Sequence, residues 1–478
     1  MKATLVEQVA ETFEDVLSTT ISQEKKQELR ECYQRGEFGR VFPAGSGSAP
    51  HILVGRATQA QQLIGLMADV CYEKYAQGLH GVVIHGPRGT GKTALLNTFR
   101  NVLMQHQAKV IRMDGNAALK SIGRLMGRLS QYIESPEERT QGHTKGMKAG
   151  GAVFVKAEAD YQHQNITKTT EVTPDQDVLS CLESILRNNP DTPVMLMIDE
   201  AHGADPAVLG ELMNSVQTLG EYEPNEPIGF VLAGTPDLID LLREESCKST
   251  LFRDRIYFKR SIPMANDLSL EACKEAITNT LEAADVTVEG KDLIEMVSKC
   301  KGSPYFLQLL GECALESASQ QNDVGRFTKG GEIDRAFESR IEERYMVAWR
   351  DVEDKDLSGC TRQLGELWRR IEELDEEITP SLISKAIQSG LTHVPYSHKR
   401  RLNPEEAEAY FKHLGLLWST SADGESDWSL GLPSFFDYVE SKFRNSKNDD
   451  HYEVLPKLEA DMDALMKRIG RAKLEAEI

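Results

Sequence analysis

The segment that most restricts the fold is GPRGTGKT, residues 86–93, set between the apolar run GVVIH (81–85) and the helical run ALLNTFRNVLMQH. It fits G-x-x-x-x-G-K-[ST] in the strand–loop–helix context that gives the pattern its meaning. Gly86, Gly89 and Gly91 let the backbone turn its N–H groups inward onto phosphate oxygens, where a helix N-terminus adds a positive dipole. Lys92 places a point charge on the β- and γ-phosphates, and Thr93 offers a hydroxyl ligand to Mg²⁺. The predicted phosphate cradle is therefore Gly86, Pro87, Arg88, Gly89, Thr90, Gly91, Lys92, Thr93 and Ala94.

A second motif completes the chemistry. In VMLMIDEAH (194–202) an apolar strand ends in Asp199 and Glu200. Asp199 is expected to hold Mg²⁺, directly or through water, and Glu200 to orient and deprotonate an attacking water. His202 stays open between a structural and a catalytic role. The further strand candidates KVIRM (109–113), GFVLA (229–233) and RIYF (255–258) alternate with helical stretches. That alternation predicts an α/β fold, a parallel sheet sandwiched by helices.

The sequence divides into five parts. Residues 1–50 read as a helical arm and a Gly/Ser/Pro-rich linker, and 51–260 as the α/β base domain. Within the base, 144–170 resembles a hairpin insertion, either a solvated decoration or a loop touching a neighbouring subunit or ligand. Residues 261–345 look like a purely helical lid. Residues 346–445 give three amphipathic helices and two short strands, the order of a winged helix-turn-helix. The tail, 446–478, carries Leu455, Leu458, Met462, Leu465, Ile469 and Ala472 at the spacing of a short coiled-coil seam.

Composition narrows the partners. A net charge of −20 repels nucleic acid and anionic lipid, so DNA contact would need a local basic stripe. His398, Lys399, Arg400 and Arg401 form one, but the third helix of the C-terminal module opens with Glu405, Glu406 and Glu408. The module is thus open to DNA yet better suited to a protein partner. Eight scattered cysteines without a CxxC pair argue against zinc and against a disulfide framework. Charges in the first 30 residues argue against a signal peptide, and no apolar run reaches membrane-spanning length, so a cytoplasmic protein without membrane contact is expected.

With these motifs in place, residues 51–345 resemble AAA ATPases, in the branch of origin-recognition initiators, and are similar to STAND signalling ATPases and transposition-regulator ATPases. The resemblance implies ATP as the nucleotide. It implies an adenine pocket at Val54, Gly55 and Arg56, a sensor at Thr235, and a lid element at Gly302-Ser303-Pro304-Tyr305 with Pro304 at the nucleotide. It also implies an arginine finger in LFRDRIYF (251–258), Arg255 ahead of Arg253, unless these are ordinary surface arginines. A finger given by a neighbour implies a homo-oligomer. The tyrosine at 305 departs from the arginine that initiators often carry there.

The expected function is a Mg²⁺-dependent, ATP-hydrolysing switch that couples nucleotide state to oligomerisation and partner engagement. A sensor or regulator in a multi-component system, such as defence against foreign genetic elements, fits a chain with no effector motif of its own; the partner would be encoded separately. A DNA-associated regulator of the initiator or transposition type, and a nucleotide-gated scaffold with little turnover, are the alternatives.

Overall fold

The computed structural model describes residues 2–17, 21–45, 49–72, 80–133, 177–190, 192–222, 228–243, 261–355, 357–374, 379–392, 402–419, 428–432 and 435–439. Helices α1 (Lys2–Leu17), α2 (Gln23–Gln34), α3 (Phe38–Val41) and α4 (Ala57–Tyr72) precede the sheet. The base then runs β1 (Gly81–His85), α5 (Lys92–Gln105), β2 (Lys109–Asp114), α6 (Gly115–Ala118), α7 (Ile122–Ser130), α8 (Val178–Arg187), β3 (Val194–Asp199), α9 (Pro206–Tyr222), β4 (Ile228–Gly234), α10 (Asp237–Arg243) and β5 (Ser261–Pro263).

The five strands form one sheet in the order β2-β3-β4-β1-β5, and every pairing is parallel. Strand side chains alternate between two cores, as a period of two requires. Along β3, Val194, Leu196 and Ile198 enter the core under α7, α8 and α9, whereas Met195 and Met197 enter the core under α1, α4 and α5. Cover on both faces explains why these strands are continuously apolar. Burying each such side chain contributes about 1.5–3 kcal/mol.

The sheet confirms the predicted fold class and adds one strand that the sequence did not suggest. RIYF (255–258) lies outside the described residues, and the fifth strand is Ser261–Pro263, with Ile84 opposite Ile262. The insertion at 144–170, the basic stripe at 398–401, Arg253, Arg255 and the tail seam also lie outside them.

The arm at residues 1–50 is not a free element. Val6, Val9 and Phe13 of α1 pack into the base, and the Phe13 ring lies 5.9 Å from that of Phe99 on α5. Leu29, Cys32 and Tyr33 of α2 and Val41 of α3 pack instead into the lid core. Consecutive helices therefore enter different cores.

The lid comprises α11 (Leu270–Ala283), β6 (Thr287–Glu289), α12 (Leu293–Ser298), α13 (Pro304–Gln320), β7 (Val324–Arg326) and α14 (Glu332–Glu353). It is not purely helical: β6 and β7 form a parallel pair, Thr287 opposite Val324. Three-residue strands fall below the length at which alternation can be read. Residues in the left-handed region, Asp285, Asn322 and Asp323, turn the chain into both.

The C-terminal module has α15 (Ser358–Leu374), α16 (Pro380–Thr392) and α17 (Pro404–Leu414), followed by an antiparallel pair, β8 (Leu417–Ser419) and β9 (Trp428–Leu430). Its apolar residues join the lid core without a break. The acidic start of α17 has a local cause. Asn403 accepts from the Glu406 N–H at 2.8 Å, and the Glu406 carboxylate accepts from the Asn403 N–H at 2.9 Å. That capping box also complements the helix dipole.

Candidate nucleotide-binding and hydrolytic site

The loop between β1 and α5 closes on itself through Lys92. Its buried amine donates to Gly86 O at 2.7 Å and Pro87 O at 2.6 Å, and the Thr90 hydroxyl donates to Pro87 O at 2.9 Å. Burial pushes the Lys92 amine down to about 8, against the opposing pull of Glu200 and Asp199. Gly86 has φ +153°, and a Cβ there would sit 2.2 Å from Met264 O, so only glycine lets the loop leave the strand this way. Gly91 in the left-handed region caps α5 and leaves its first N–H groups facing the loop.

Parallel register brings the acidic pair to the same end. The Thr93 hydroxyl donates to Asp199 Oδ1 at 3.2 Å, and the Arg112 guanidinium of β2 reaches Asp199 Oδ2 at 3.2 Å. Glu200 follows with φ +50°, a conformation that costs a non-glycine residue about 1 kcal/mol and that singles out its position. The Glu200 side chain is 43% exposed, and Oε2 lies 3.3 Å from His202 Nε2. Thr235, at the end of β4, donates its N–H to His202 Nδ1 at 3.3 Å, and its hydroxyl donates to Asp237 Oδ1.

Residues 78–242 match the family model described as the AAA domain. This part of the chain has the AAA-type P-loop fold. One solved structure agrees on the fold, and two more are similar at lower scores. A Walker-type ATPase of Pyrococcus abyssi is 13% identical, covering 82% of this chain and 97% of that one at a TM-score of 0.50. Cdc6p from Pyrobaculum aerophilum is 14% identical over 86% of this chain and 99% of that one, TM-score 0.40. The RuvB Holliday junction branch migration motor of Thermotoga maritima is 14% identical over 81% and 94%, TM-score 0.38. No curated protein matches the chain.

The lid meets the AAA domain at the phosphate loop itself. Tyr305 donates its backbone N–H to Gly89 O at 3.1 Å, and Pro304 stands beside Gly91. The contact is main-chain, so it does not depend on which side chain stands at 305. The Tyr305 ring is instead covered by the Arg344 guanidinium, 5.9 Å from its centroid.

Arg56 sits apart from its neighbours in the predicted adenine pocket. It is buried, and its guanidinium binds Asp267 at 2.5 Å, Ala265 O at 2.8 Å and Thr90 O at 3.2 Å. Those bonds tie the phosphate loop to the segment leading from base to lid, so this cation is already fully engaged by protein. Val54 is buried, and Gly55 (φ +66°) lies against Leu268.

Sequence reasoning missed what the C-terminal module does here. Gly415, in the left-handed region at the end of α17, packs against Pro87 and the Arg88 N–H; a Cβ would lie 3.3 Å from Pro87 Cα. Gly431 O accepts from Asn266 Nδ2 at 2.7 Å. The buried Trp418 ring meets His85 edge-on at 6.2 Å, and His413 Nδ1 lies 3.1 Å from Asp237 Oδ2. No sequence signal links residues 176 apart in this way. Arg112 was missed as well, since an arginine inside a strand has no distinctive spacing.

The donor set fits Mg²⁺. A threonine hydroxyl beside one carboxylate supplies hard oxygens, leaving other positions to phosphate and water, as this ion prefers. Among the described residues no cluster of three or more His, Cys, Asp or Glu offers an independent metal site, and no helix is long and apolar enough to cross a membrane.

His85 yields a pH prediction. Its Nε2 lies 2.6 Å from Ser261 Oγ, and burial, reinforced by Lys92, lowers its pKa to about 4. Between pH 6.5 and 4 the unfolded chain takes up this proton and the folded chain does not. Stability from His85 is thus full above 6.5 and drains as pH falls toward 4, by roughly 3 kcal/mol in all. In urea titrations across that range, His85→Gln is expected to show a shallower acid loss than wild type.

Proposed function

We propose that this chain is a Mg²⁺-dependent ATP-hydrolysing switch. ATP lies between the α/β base and the lid, and the C-terminal module passes its state to a partner. The observation that carries the reading is the convergence of Lys92, Thr93, Asp199, Glu200 and Thr235 at one end of a parallel sheet. Lys92 and the α5 N-terminus bind phosphate, Thr93 and Asp199 present oxygens to Mg²⁺, and Glu200 receives the proton of the attacking water. Mg²⁺, when bound, neutralises charge on the β- and γ-phosphates. Val54 and Gly55 would border the adenine, and Pro304 the phosphates.

The coupling reading rests on main-chain contacts. Tyr305 from the lid and Gly415 from the C-terminal module both touch the phosphate loop, so a change in that loop is felt by both. A full reversal of two conformations needs about 5.5 kcal/mol of differential nucleotide affinity. Arg255 or Arg253 would act on the site of a neighbouring copy, which makes the active form a homo-oligomer. The partner is a separately encoded protein in a multi-component sensing or defence system.

The test is phosphate release by the full chain with ATP, with and without Mg²⁺, alongside mass photometry with and without ATP and duplex DNA. Mg²⁺-dependent turnover and ATP-dependent assembly are expected. Absence of turnover under all conditions would leave a nucleotide-gated scaffold. Assembly only with ATP and DNA together would move the chain to the DNA-associated regulators.

A further inference from the structure

We infer that His202 is a positioning residue for ATP hydrolysis, holding the Glu200 carboxylate through its Nε2–H; this rests on the ATPase reading above. The assignment follows from the two sides of the imidazole. Nδ1 accepts the Thr235 backbone N–H at 3.3 Å, so on the neutral ring the proton must sit on Nε2. Nε2 faces Glu200 Oε2 at 3.3 Å. The protonated Nε2 therefore stands in close polar contact with Glu200, near enough to hold it while leaving the carboxylate's other acceptor positions open to water.

The ring is well placed to hold another group still. Its side chain is 6% exposed against 43% for Glu200, so the fixed partner is the histidine and the adjustable one the glutamate. Burial keeps the imidazole toward its neutral form, opposed by Asp237 and Glu200. The 3₁₀ turn Ala201–Gly203 that carries it is clamped from both sides. A Cβ on Gly203 would collide with Asn116 at 1.8 Å, and one on Gly115 would meet Glu200 O at 2.5 Å. Packing this tight leaves the turn little freedom.

The link to Thr235 gives the arrangement its significance. The N–H that sets the tautomer belongs to the strand end beside the phosphate site, and the hydroxyl of the same residue is tied to Asp237. A shift of Thr235 toward a terminal phosphate would alter the support of His202, and through it the aim of Glu200.

The full chain would be compared with His202→Ala and His202→Gln. Steady-state phosphate release gives kcat and KM, and calorimetry gives the affinity for ATP–Mg²⁺. Misplacing a catalytic group by about 1 Å costs on the order of 10²-fold. His202→Ala is thus expected to lower kcat by about 10- to 100-fold with KM and affinity within about twofold. His202→Gln, whose amide can still donate to Glu200, should recover a substantial part of the loss. Unchanged kcat in the alanine variant, equal loss of affinity and kcat, or glutamine no better than alanine would each overturn the assignment. Lack of turnover in the wild type would instead remove the ATPase reading, and this inference with it, before any variant is compared.

Discussion

Glu200→Gln is expected to slow ATP hydrolysis by about 10²- to 10⁴-fold, the usual weight of a positioned general base, while ATP still binds. The amide is nearly isosteric with the carboxylate, so the +50° φ at this position and the packing of Gly115 beneath it are undisturbed. What disappears is the ability to take a proton from water. Lys92, Thr93 and Asp199, the proposed phosphate and Mg²⁺ ligands, are untouched. Single-turnover phosphate release together with calorimetric ATP binding separates the two effects. A variant that hydrolysed ATP within a few-fold of wild type would mean that another group receives the proton.

Lys92→Ala is expected to act on binding instead. Truncating one partner of a buried, hydrogen-bonded charge pair costs about 2–5 kcal/mol, at least about 30-fold in affinity. In this loop the amine also bridges Gly86 O and Pro87 O, so its removal takes a donor from each and leaves Pro87 O only the Thr90 hydroxyl. The loop should lose its shape along with its charge, and restoring a longer cation by Lys92→Arg should not rescue it, because the amine site is fully enclosed. Calorimetry with ATP–Mg²⁺ checks this. Affinity within threefold of wild type would show that α5 and the backbone N–H groups carry the phosphate without Lys92.

The comparison of sequence with structure turns on range. The phosphate loop, Asp199-Glu200 and four of the strands were legible because each is a local pattern whose residues serve neighbours in the chain. The strand Ser261–Pro263 was not anticipated because it is three residues long and carries a proline. The lid pair β6–β7 escaped for the same reason of length. Arg56 was read with its neighbours Val54 and Gly55, yet its partners Ala265 and Asp267 stand more than 200 residues away.

Sequence alone determined that this chain would close a phosphate loop after a buried strand, face it with two carboxylates, and build a parallel sheet around both. Local propensity and hydrophobic period suffice for that, since each element carries its own pattern. Only the tertiary structure decided which core each N-terminal helix enters, that the lid grips the loop by its backbone, and that α17 brings Gly415 and His413 to the phosphate-loop end of the sheet. Burial is non-directional: an apolar stripe specifies that it must be covered, and the rest of the fold specifies by what.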